Sequence, residues 1–390
     1  MKPRGQIPSA KDKMLFTPGP LTTSQTVKQA MLRDVGSWDY ELREVVREIR
    51  LKLLEIAGAN PRHYATVLMQ GSGSFGLEAV VGSTVPPDGK LLAITNGAYG
   101  DRIATIASML NIETIVIKSA EDKTPDLDKV KSTLEVDSNI TNVIVVHCET
   151  TTGIVNPIEK IGEIVKQYPA KYIVDAMSSF GAIPIDLTES GIDYLVSSPN
   201  KCIEGVPGFS FIIAKLRSLM ETEGYARSLC LDILGQYKGF EKNGQFRFTP
   251  PTHTLMAFRQ AIAEFEAEGG VEARSARYQA NYKTLIDGMR RMGFKEFLHP
   301  DDQGYIITSF YYPESDRFDF NEFYKRLHDK NYIIYSGKIT FADTFRIGNI
   351  GRIFESDICD LLGAIREVTD QMGVRLKYTL QGSKFPRAKP

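Results

Sequence analysis

The first two thirds of this 390-residue chain alternate short apolar runs with amphipathic helical patterns, and this alternation constrains the fold more than any other feature. Helical patterns cover Ala98–Leu110, Leu127–Leu134 and Ile158–Gln167. Strands alternating with helices indicate an α/β fold with a mostly parallel sheet and helices on both faces. Asn142–Val146 and Tyr172–Val174 are apolar without alternation, as in strands buried on both faces. The predicted strands are Ala65–Met69, Lys90–Ile94, Thr114–Ile117, Asn142–His147, Tyr172–Val174, Tyr194–Ser197 and Gly208–Ala214.

The pattern changes after about residue 221. Two long helical stretches follow, near His253–Glu268 and Gly270–Met292, and short strands then alternate with helices. This order predicts a second, smaller α+β domain. We expect an N-terminal arm over residues 1–20, a large domain over 21–270, a small domain over 271–378 and a flexible tail over 379–390.

Composition excludes several classes of function. The formal net charge is -1, so no global field would recruit nucleic acid or an anionic membrane. No apolar stretch reaches the roughly 18 residues that a membrane span needs, and the N-terminus lacks the apolar stretch of a secretory signal. The spacing of the four cysteines and five histidines fits neither a metal site nor a disulfide framework, which indicates a cytoplasmic protein without a bound metal.

A glycine- and serine-rich turn follows the first predicted strand, and ligands of parallel sheets bind at that end of the strands. The turn, Gln70–Gly76, precedes a helical pattern whose free N–H groups would suit a phosphate, with added contacts from the hydroxyls of Ser72 and Ser74. The alternative is that these residues only turn the chain and cap the helix. The spacing is neither a P-loop nor a GxGxxG pattern, which argues against a nucleotide.

Two further strand ends carry an aromatic residue and hydroxyls. Tyr99 lies at a predicted helix start, where its face could stack on a flat cofactor ring or simply pack against the protein. Thr150, Thr151 and Thr152 follow Asn142–His147 and could bind a ring substituent or form a solvated turn.

An acid and a lysine complete the series. Asp175 ends a buried strand, where a carboxylate needs a positive partner such as a protonated pyridine nitrogen, or else caps a turn. Lys201 follows the next strand. Desolvation there would lower the pKa of its amine, as a Schiff-base lysine requires. The alternative is a solvated lysine in a loop. A phosphate turn, an aromatic, hydroxyls, an acid and a lysine at successive strand ends are what a pyridoxal 5'-phosphate (PLP) site needs.

Five motifs carry a family resemblance. They are FTPGP at Phe16–Pro20, QGSGSFGLE at Gln70–Glu78, DAMSSFG at Asp175–Gly181, NKCIEGVPGF at Asn200–Phe209 and GQFRFTPPTH at Gly244–His253. With them the chain resembles the class V, fold-type I PLP aminotransferases, and within that class the 2-aminoethylphosphonate–pyruvate transaminases, from Leu15 to about Tyr378. Ser74 stands where many members have threonine, a change that keeps the hydroxyl.

The resemblance implies a role for each matching residue near the cofactor. Lys201 would be the Schiff-base lysine and would carry the proton between the substrate carbon and the cofactor. Asp175 would pair with the ring nitrogen. Thr150 would lie near the ring hydroxyl, with Thr151 as a close rival. The remaining cofactor contacts would be ring stacking by Tyr99 and phosphate binding by Ser72, Gly73 and Ser74.

The resemblance also implies a homodimer with shared active sites. Thr249, or else Thr252, would reach the phosphate of the neighbouring subunit's cofactor. Arg346 would bind the substrate anion, because a planar guanidinium can hold a carboxylate or a phosphonate through two hydrogen bonds. Arg352 is its competitor, disfavoured because it follows the turn-like Gly351.

The implied reaction is transfer of the amino group of 2-aminoethylphosphonate to pyruvate, giving phosphonoacetaldehyde and L-alanine, as in phosphonate degradation. An alanine–glyoxylate or serine–pyruvate type aminotransferase is the alternative within the class. A cysteine desulfurase would need a mobile cysteine, which neither Cys148 nor Cys202 resembles. A binding protein that has lost catalysis would not be expected to keep both Lys201 and Asp175.

Overall fold

The computed structural model describes residues 12–374. The predicted tail and the first eleven residues of the predicted arm lie outside this range. The helices are α1 Gln25–Gln29, α2 Tyr40–Ile56, α3 Gly73–Thr84, α4 Ala98–Met109, α5 Leu127–Val136, α6 Ile158–Val165, α7 Leu216–Met220, α8 Ile233–Asn243, α9 Thr252–Glu268, α10 Gly270–Met292, α11 Phe320–Asp329 and α12 Glu355–Gln371. The strands are β1 Met14–Leu15, β2 Tyr64–Gln70, β3 Lys90–Thr95, β4 Glu113–Lys118, β5 Ile140–Val146, β6 Cys148–Glu149, β7 Ile154–Val155, β8 Lys171–Asp175, β9 Tyr194–Ser197, β10 Phe209–Lys215, β11 Ile307–Tyr311, β12 Tyr332–Ile333, β13 Tyr335–Ser336 and β14 Thr344–Gly348.

A seven-stranded sheet in the order β2-β10-β9-β8-β5-β3-β4 forms the centre of the larger part of the molecule. Strands β9, β8, β5, β3 and β4 run parallel, and β10 runs antiparallel to both of its neighbours. Every predicted strand of the first two thirds overlaps one strand of this sheet. Because β8 and β9 are apolar and almost wholly buried, helices must cover both faces, and the predicted α/β fold class is confirmed.

Local chemistry explains where many helices begin and end. Asp39, Asp126 and Asp232 each accept a hydrogen bond from a backbone N–H of the first turn of the helix that follows. Gly244 and Gly269 end α8 and α9 in the left-handed conformation that glycine adopts without strain. These caps supply the donors and acceptors that helix ends leave unsatisfied.

A three-stranded antiparallel sheet, β11-β14-β13, lies in the last third of the chain. Its apolar side chains form a second core with those of α10, α11 and α12, separate from the core around the large sheet. Strand β1 pairs with β12, so Met14 and Leu15 are attached to this part of the molecule. The division near residue 270 stays a prediction. No helix within residues 12–374 is long and apolar enough to cross a membrane.

Candidate active site

The predicted site residues converge at one edge of the large sheet, because β2, β3, β5, β8 and β9 all point the same way. Parallel strands bring the segments that follow them to a common edge. The chain crosses from β4 back to β5 on the other side of β3, so this edge also contains the topological switch point at which such sheets bind ligands.

Lys201 lies in the turn after β9 with its side chain half-buried. Its Nζ donates a hydrogen bond to the carbonyl oxygen of Pro18 at 2.7 Å. Burial lowers the pKa of the Lys201 amine, although Tyr99 and Asp175 act in the opposite direction. A lowered pKa gives more of the neutral amine near pH 7, which is the nucleophilic form.

The N-terminal segment closes over this lysine. A Cβ on Gly19 would lie 2.6 Å from both the Asn200 carbonyl oxygen and the Lys201 Cδ, and Gly19 has a φ of +108°. On its other side, the Phe16 carbonyl accepts from the N–H of Gly348 at 3.0 Å. The FTPGP motif therefore links the lysine turn to the strand that carries Arg346, which sequence alone did not reveal.

A buried charged network supports the lysine turn from behind. Glu204, whose φ of +64° is unusual for a non-glycine residue, accepts hydrogen bonds from Arg277 Nη2 at 2.6 Å and from the Tyr278 hydroxyl at 2.7 Å. Arg274, also buried, donates to the Cys202 carbonyl. Sequence analysis missed these residues, since α10 has the pattern of an ordinary polar helix and their partners are distant in the chain.

Asp175 is almost wholly buried at the end of β8. Its Oδ1 accepts one hydrogen bond, from the N–H of Met177 at 2.9 Å. Burial raises the pKa of this carboxyl to about 7, which the Met177 hydrogen bond only partly opposes. Within residues 12–374 no cationic side chain forms an ion pair with it. The carboxyl therefore lacks the positive partner that a protonated pyridine nitrogen would supply.

Tyr99 is the second residue of α4, and Glu149 fixes the start of that helix. The completely buried Glu149 carboxylate accepts from the N–H groups of Tyr99 and Gly100, each at 3.2 Å, and from the Thr151 hydroxyl at 2.6 Å. A carboxylate is favourable at a helix N-terminus. Glu149 was missed as a site residue; an acid within a run of threonines at a buried strand end was its only signal.

The surroundings of Tyr99 are cationic. Burial raises the pKa of its phenol, but the charges of Lys201, Lys338 and Arg346, together with the Thr150 side chain, lower it and the net shift is downward. The guanidinium of Arg102 lies 4.9 Å from the centre of its ring, one turn further along α4. Arg102 was also missed, although its spacing of three residues from Tyr99 places the two side chains on one helix face.

Ser72, Gly73 and Ser74 form the N-terminus of α3. By helix geometry their N–H groups have no acceptor within the helix. Arg102 Nη1 donates to the Ser74 hydroxyl at 3.1 Å and brings a positive charge to the same place. A Cβ on Gly73 would lie 2.5 Å from Met177 Sδ, so the turn packs closely on the residues that follow Asp175. An anionic phosphate fits this arrangement.

The threonine run is buried, so the alternative of a solvated turn is wrong. It forms the tip of a hairpin between β6 and β7. The Thr151 hydroxyl is occupied, because it donates to Glu149 and accepts from the N–H of Ala98 at 3.1 Å. The Thr150 side chain instead acts on the phenol of Tyr99 and lowers its pKa. Of the two rivals, Thr150 is therefore the one that faces the other predicted site residues.

Arg346 reaches the same edge from the small sheet. Although buried, it bonds only carbonyl oxygens: Nε donates to Ser336 at 3.0 Å and Nη1 to Thr150 at 2.8 Å. No carboxylate among residues 12–374 forms an ion pair with it. Its competitor Arg352 lies 3.8 Å from the Glu268 carboxylate instead. A buried guanidinium without an acidic partner is suited to an anionic ligand.

Thr249 stands apart from the other predicted site residues. It is exposed, in the segment between α8 and α9, and its carbonyl accepts from Gln70 Nε2 at 3.2 Å, next to the phosphate turn. No hydrogen bond joins its hydroxyl to the rest of the site within the described chain. The hydroxyl of Thr252 lies 3.4 Å from His253 Nδ1.

The two cysteines nearest the site are poor nucleophiles. Both Cys148 and Cys202 are buried, and the Cys202 thiol donates to the Ser178 carbonyl at 3.3 Å. Burial raises the pKa of the Cys202 thiol to about 12 and raises that of Cys148 further. A cysteine desulfurase needs a reactive, mobile thiol, so this chemistry is not supported.

The residues as a set fit PLP. The N-terminus of α3 and Arg102 could bind its phosphate, and Tyr99 could stack on its ring. Asp175 could pair with the ring nitrogen, and Lys201 could react with the aldehyde. Among residues 12–374 the Asp175 carboxyl has no ion-pair partner and Lys201 Nζ donates to the Pro18 carbonyl, so the protonated ring nitrogen and the aldehyde of PLP would each find a suitable partner here.

Comparisons with known proteins agree with this chemistry. The profile of the aminotransferase class-V family matches residues 23–345. A protein of Vibrio vulnificus (strain YJ016) named 2-aminoethylphosphonate–pyruvate transaminase is 51% identical over 91% of this chain and 97% of its own length. A Bacillus cereus (strain Q1) protein of the same name is 51% identical over 90% and 96%.

Solved structures show the same fold. Pyridoxamine–pyruvate aminotransferase from Mesorhizobium loti superposes with a TM-score of 0.85 at 23% identity, covering 95% of this chain and 96% of that one. Alanine–glyoxylate aminotransferase from Nostoc sp. gives 0.84 at 24% identity, covering 94% and 97%. The chain therefore belongs to the class-V aminotransferase family, PLP-dependent transaminases of fold type I.

Proposed function

We propose that this transaminase moves the amino group of 2-aminoethylphosphonate to pyruvate, giving phosphonoacetaldehyde and L-alanine in the degradation of phosphonates. The observation that carries the proposal is Arg346, a buried guanidinium at the site edge with no acidic partner among the described residues. The names of the relatives at 51% identity support the same substrates.

PLP supplies the electron sink that stabilises negative charge on the substrate carbon bearing nitrogen. We propose that Asp175 keeps the ring nitrogen protonated, Tyr99 stacks on the ring and Thr150 lies near the ring hydroxyl. Ser72, Gly73 and Ser74 hold the phosphate, and the Arg102 guanidinium adds a charge-assisted contact.

Lys201 is the proton carrier in this proposal. Its Nζ would remove the proton from the donor carbon that bears nitrogen, hold it, and give it up again as the amino group is transferred. In the second half, with pyruvate, the same amine moves a proton in the opposite direction. The lowered pKa of Lys201 keeps part of the amine unprotonated and ready to accept.

Arg346 serves both half-reactions because a guanidinium can bind either a phosphonate or a carboxylate through two parallel hydrogen bonds. Its Nε and Nη1 are positioned by the carbonyls of Ser336 and Thr150, which fixes the plane of the group before any ligand arrives. A fixed guanidinium loses less conformational entropy on binding than a mobile one.

We also propose that two copies form a homodimer with shared sites. Two large apolar side chains that line the same surface hollow as Thr249 are exposed, Trp38 (74%) and Phe248 (42%). Exposed apolar groups of this size are typical of a protein interface. If a second copy covers the surface beside Thr249, the Thr249 hydroxyl would lie near the cofactor of that copy.

Two broader predictions remain proposals. One is that the chain works in the cytoplasm, which its four free cysteines favour. The other is the division into a large domain over 21–270 and a small domain over 271–378, which the two separate apolar cores support.

A donor panel tests the function. Purified protein with PLP and pyruvate is offered 2-aminoethylphosphonate, β-alanine, taurine, serine or glutamate, and alanine formation is measured, with Lys201→Ala as the blank. We expect alanine from the phosphonate above all, and none from the variant. Alanine made mainly from serine would indicate the serine–pyruvate alternative and refute the phosphonate proposal while leaving the PLP chemistry intact.

A further inference from the structure

A second cation reaches the site from the loop between β13 and β14. Lys338 Nζ lies 5.2 Å from the centre of the Tyr99 ring, and its charge acts on the Tyr99 phenol together with those of Lys201 and Arg346. Lys338 lies in the loop before β14, the strand that carries Arg346, and both charges act on the same aromatic side chain. No sequence pattern indicates this, since Lys338 follows a short strand in a segment without periodicity.

The backbone around Lys338 is held in place on both sides. The N–H of Gly337 donates to the Thr344 carbonyl at 2.8 Å and closes the base of the loop. Ile339 is buried in an apolar cluster with Ile154, Phe297 and Leu298. The two anchors fix where the Lys338 backbone lies, within reach of Tyr99 for its side chain.

The tip of the loop is tied to the large sheet's side of the molecule. The N–H and hydroxyl of Thr340 both donate to Glu121 Oε2, at 3.0 and 3.3 Å. Glu121, which is mostly buried, follows the end of β4. Lys338 is therefore exposed between two fixed points, the Gly337–Thr344 hydrogen bond and the Thr340–Glu121 hydrogen bonds.

Lys338 has no carboxylate partner within ion-pair distance in the part of the chain that the structure describes, and neither has Arg346. Two like charges directed at one place repel each other, and the repulsion is relieved when an anion lies between them. Together, Lys338 and Arg346 carry more positive charge than one carboxylate would neutralise.

We propose that Lys338 determines specificity for the amino donor: with Arg346 it forms a two-cation site for the doubly charged phosphonate group, whereas the singly charged carboxylate of pyruvate needs Arg346 alone. This inference rests on the proposed function and names the residue behind its donor preference. A phosphonate has three oxygens; the guanidinium fork binds two, and the third accepts from the ammonium. Like phosphate monoesters, phosphonates approach two negative charges near neutral pH.

The kinetic test compares Lys338→Gln with the wild-type holoenzyme. We expect the KM for 2-aminoethylphosphonate to rise about 10- to 100-fold, the size of one lost charge-assisted hydrogen bond. The kcat and the KM for pyruvate should change by about threefold or less, since neither uses the ammonium. Lys338→Arg should keep most of the wild-type affinity.

A matched control and a pH profile separate this role from a structural one. Lys330→Gln removes the same charge from a lysine that pairs with Glu367 on the surface, and it should leave both KM values unchanged. In the wild type, kcat/KM for the phosphonate should rise as the donor loses its second proton, and in Lys338→Gln this rise should flatten. Equal losses for donor and pyruvate, with the rise intact, would mean that Lys338 only supports Tyr99.

Binding measured by calorimetry decides the question whichever amine the enzyme uses. PLP-loaded protein is titrated with ethylphosphonate and with propionate, which differ in the anionic group. The wild type should prefer ethylphosphonate, and Lys338→Gln should lose that preference. If the wild type binds both alike, or the variant weakens both alike, the two-cation site is refuted. A Lys338-dependent preference for ethylphosphonate in an enzyme that makes no alanine from 2-aminoethylphosphonate would refute the proposed function and leave the two-cation site standing.

Discussion

At the scale of single residues, the two groups expected to do the chemistry are both costly to the cofactor-free fold. Burial lowers the pKa of Lys201 and raises that of Asp175 to about 7, so each resists its ordinary charged state. Such opposed shifts at one cleft are common at functional sites. The cofactor would supply a cationic partner for Asp175 and a covalent one for Lys201.

Asp175→Asn should act with opposite signs on the empty and the loaded protein. The variant keeps an acceptor for the Met177 N–H but has no charge to desolvate. In the unfolded chain Asp175 ionises near the ordinary aspartate pKa of 3.8, whereas in the folded chain its pKa is about 7. Between these values the unfolded state has lost a proton that the folded state keeps, so the stability of the wild type falls as pH rises through this window and stays lower above it.

We therefore expect cofactor-free Asp175→Asn to be more stable than the wild type at pH 8, by at most about 4 kcal/mol, and equally stable near pH 4. With PLP the order should reverse, because the ring nitrogen loses its anionic partner. Thermal unfolding with and without PLP across this pH range is the measurement. A variant less stable at pH 8 in both forms would show that Asp175 is already well paired in the empty site.

At the scale of elements, Glu149 joins the β5–β6 edge to the start of α4 and so sets where Tyr99 points. In Glu149→Gln an amide NH₂ would replace one carboxylate oxygen and meet donors on α4 or Thr151. An unsatisfied buried donor costs about 1–3 kcal/mol. We expect a lower melting temperature. We also expect PLP affinity reduced by about tenfold or more, because Glu149 would no longer hold Tyr99 in position to stack on the ring.

Asp126→Asn is the matched control for this change. Asp126 caps α5 at the surface by accepting from the Lys129 N–H at 3.1 Å, and asparagine is an equally good cap. It should leave both stability and PLP affinity close to wild type. If Glu149→Gln lowered only the melting temperature, with PLP bound as tightly as before, Glu149 would be a structural residue without influence on Tyr99.

The strands of the large sheet could be predicted because each is a compact apolar run between polar turns. Tyr194–Ser197 has the predicted bounds, and Lys90–Thr95 differs by one residue. The reversed direction of β10 was not predicted, because alternation and apolar content do not encode direction. The β6–β7 hairpin was missed for a related reason: two-residue strands are defined by pairing and leave no pattern.

The residues of the candidate site also divide into those that a local sequence pattern predicts and those that it does not. Residues at strand ends, such as Asp175 and Lys201, could be predicted from position plus chemistry. Arg102, Glu149 and Lys338 were missed because the contacts that link them to the rest of the site include partners 28 to 239 residues away in the chain, such as Ser74 for Arg102 and Tyr99 for Lys338. Long-range contacts of this kind are fixed by packing and have no local signature.

At the scale of the whole molecule, the site is assembled from the full length of the described chain. The edge of the large sheet carries the residues proposed to bind the cofactor, β14 carries Arg346, and the loop before β14 carries Lys338. The N-terminal segment closes over Lys201 through Pro18. Only Thr249 stays outside, exposed among apolar side chains. This position of Thr249 fits the proposed homodimer, in which a second copy would complete the site.

Mixing two inactive variants tests this arrangement. Lys201→Ala removes the proton carrier, and Thr249→Asp sets a carboxylate against the phosphate that the threonine would bind, where like charges repel. If Thr249 acts across the dimer, a mixed dimer places both changes in one site and leaves the other site intact. Random reassociation of equal amounts should then restore about a quarter of the wild-type sites.

Alanine formation after unfolding and refolding the two variants together, measured against each refolded alone, gives the answer. The expected recovery requires both a dimer and a shared site, since in a monomer no intact site can form. If the mixture stays inactive while the wild type sediments as a dimer, Thr249 serves its own subunit's cofactor or none. The same mixture made with Thr252→Asp tests whether Thr252, instead of Thr249, reaches the partner's cofactor. Recovery with the Thr252 variant, but not with the Thr249 variant, would move the assignment by three residues, to the first turn of α9.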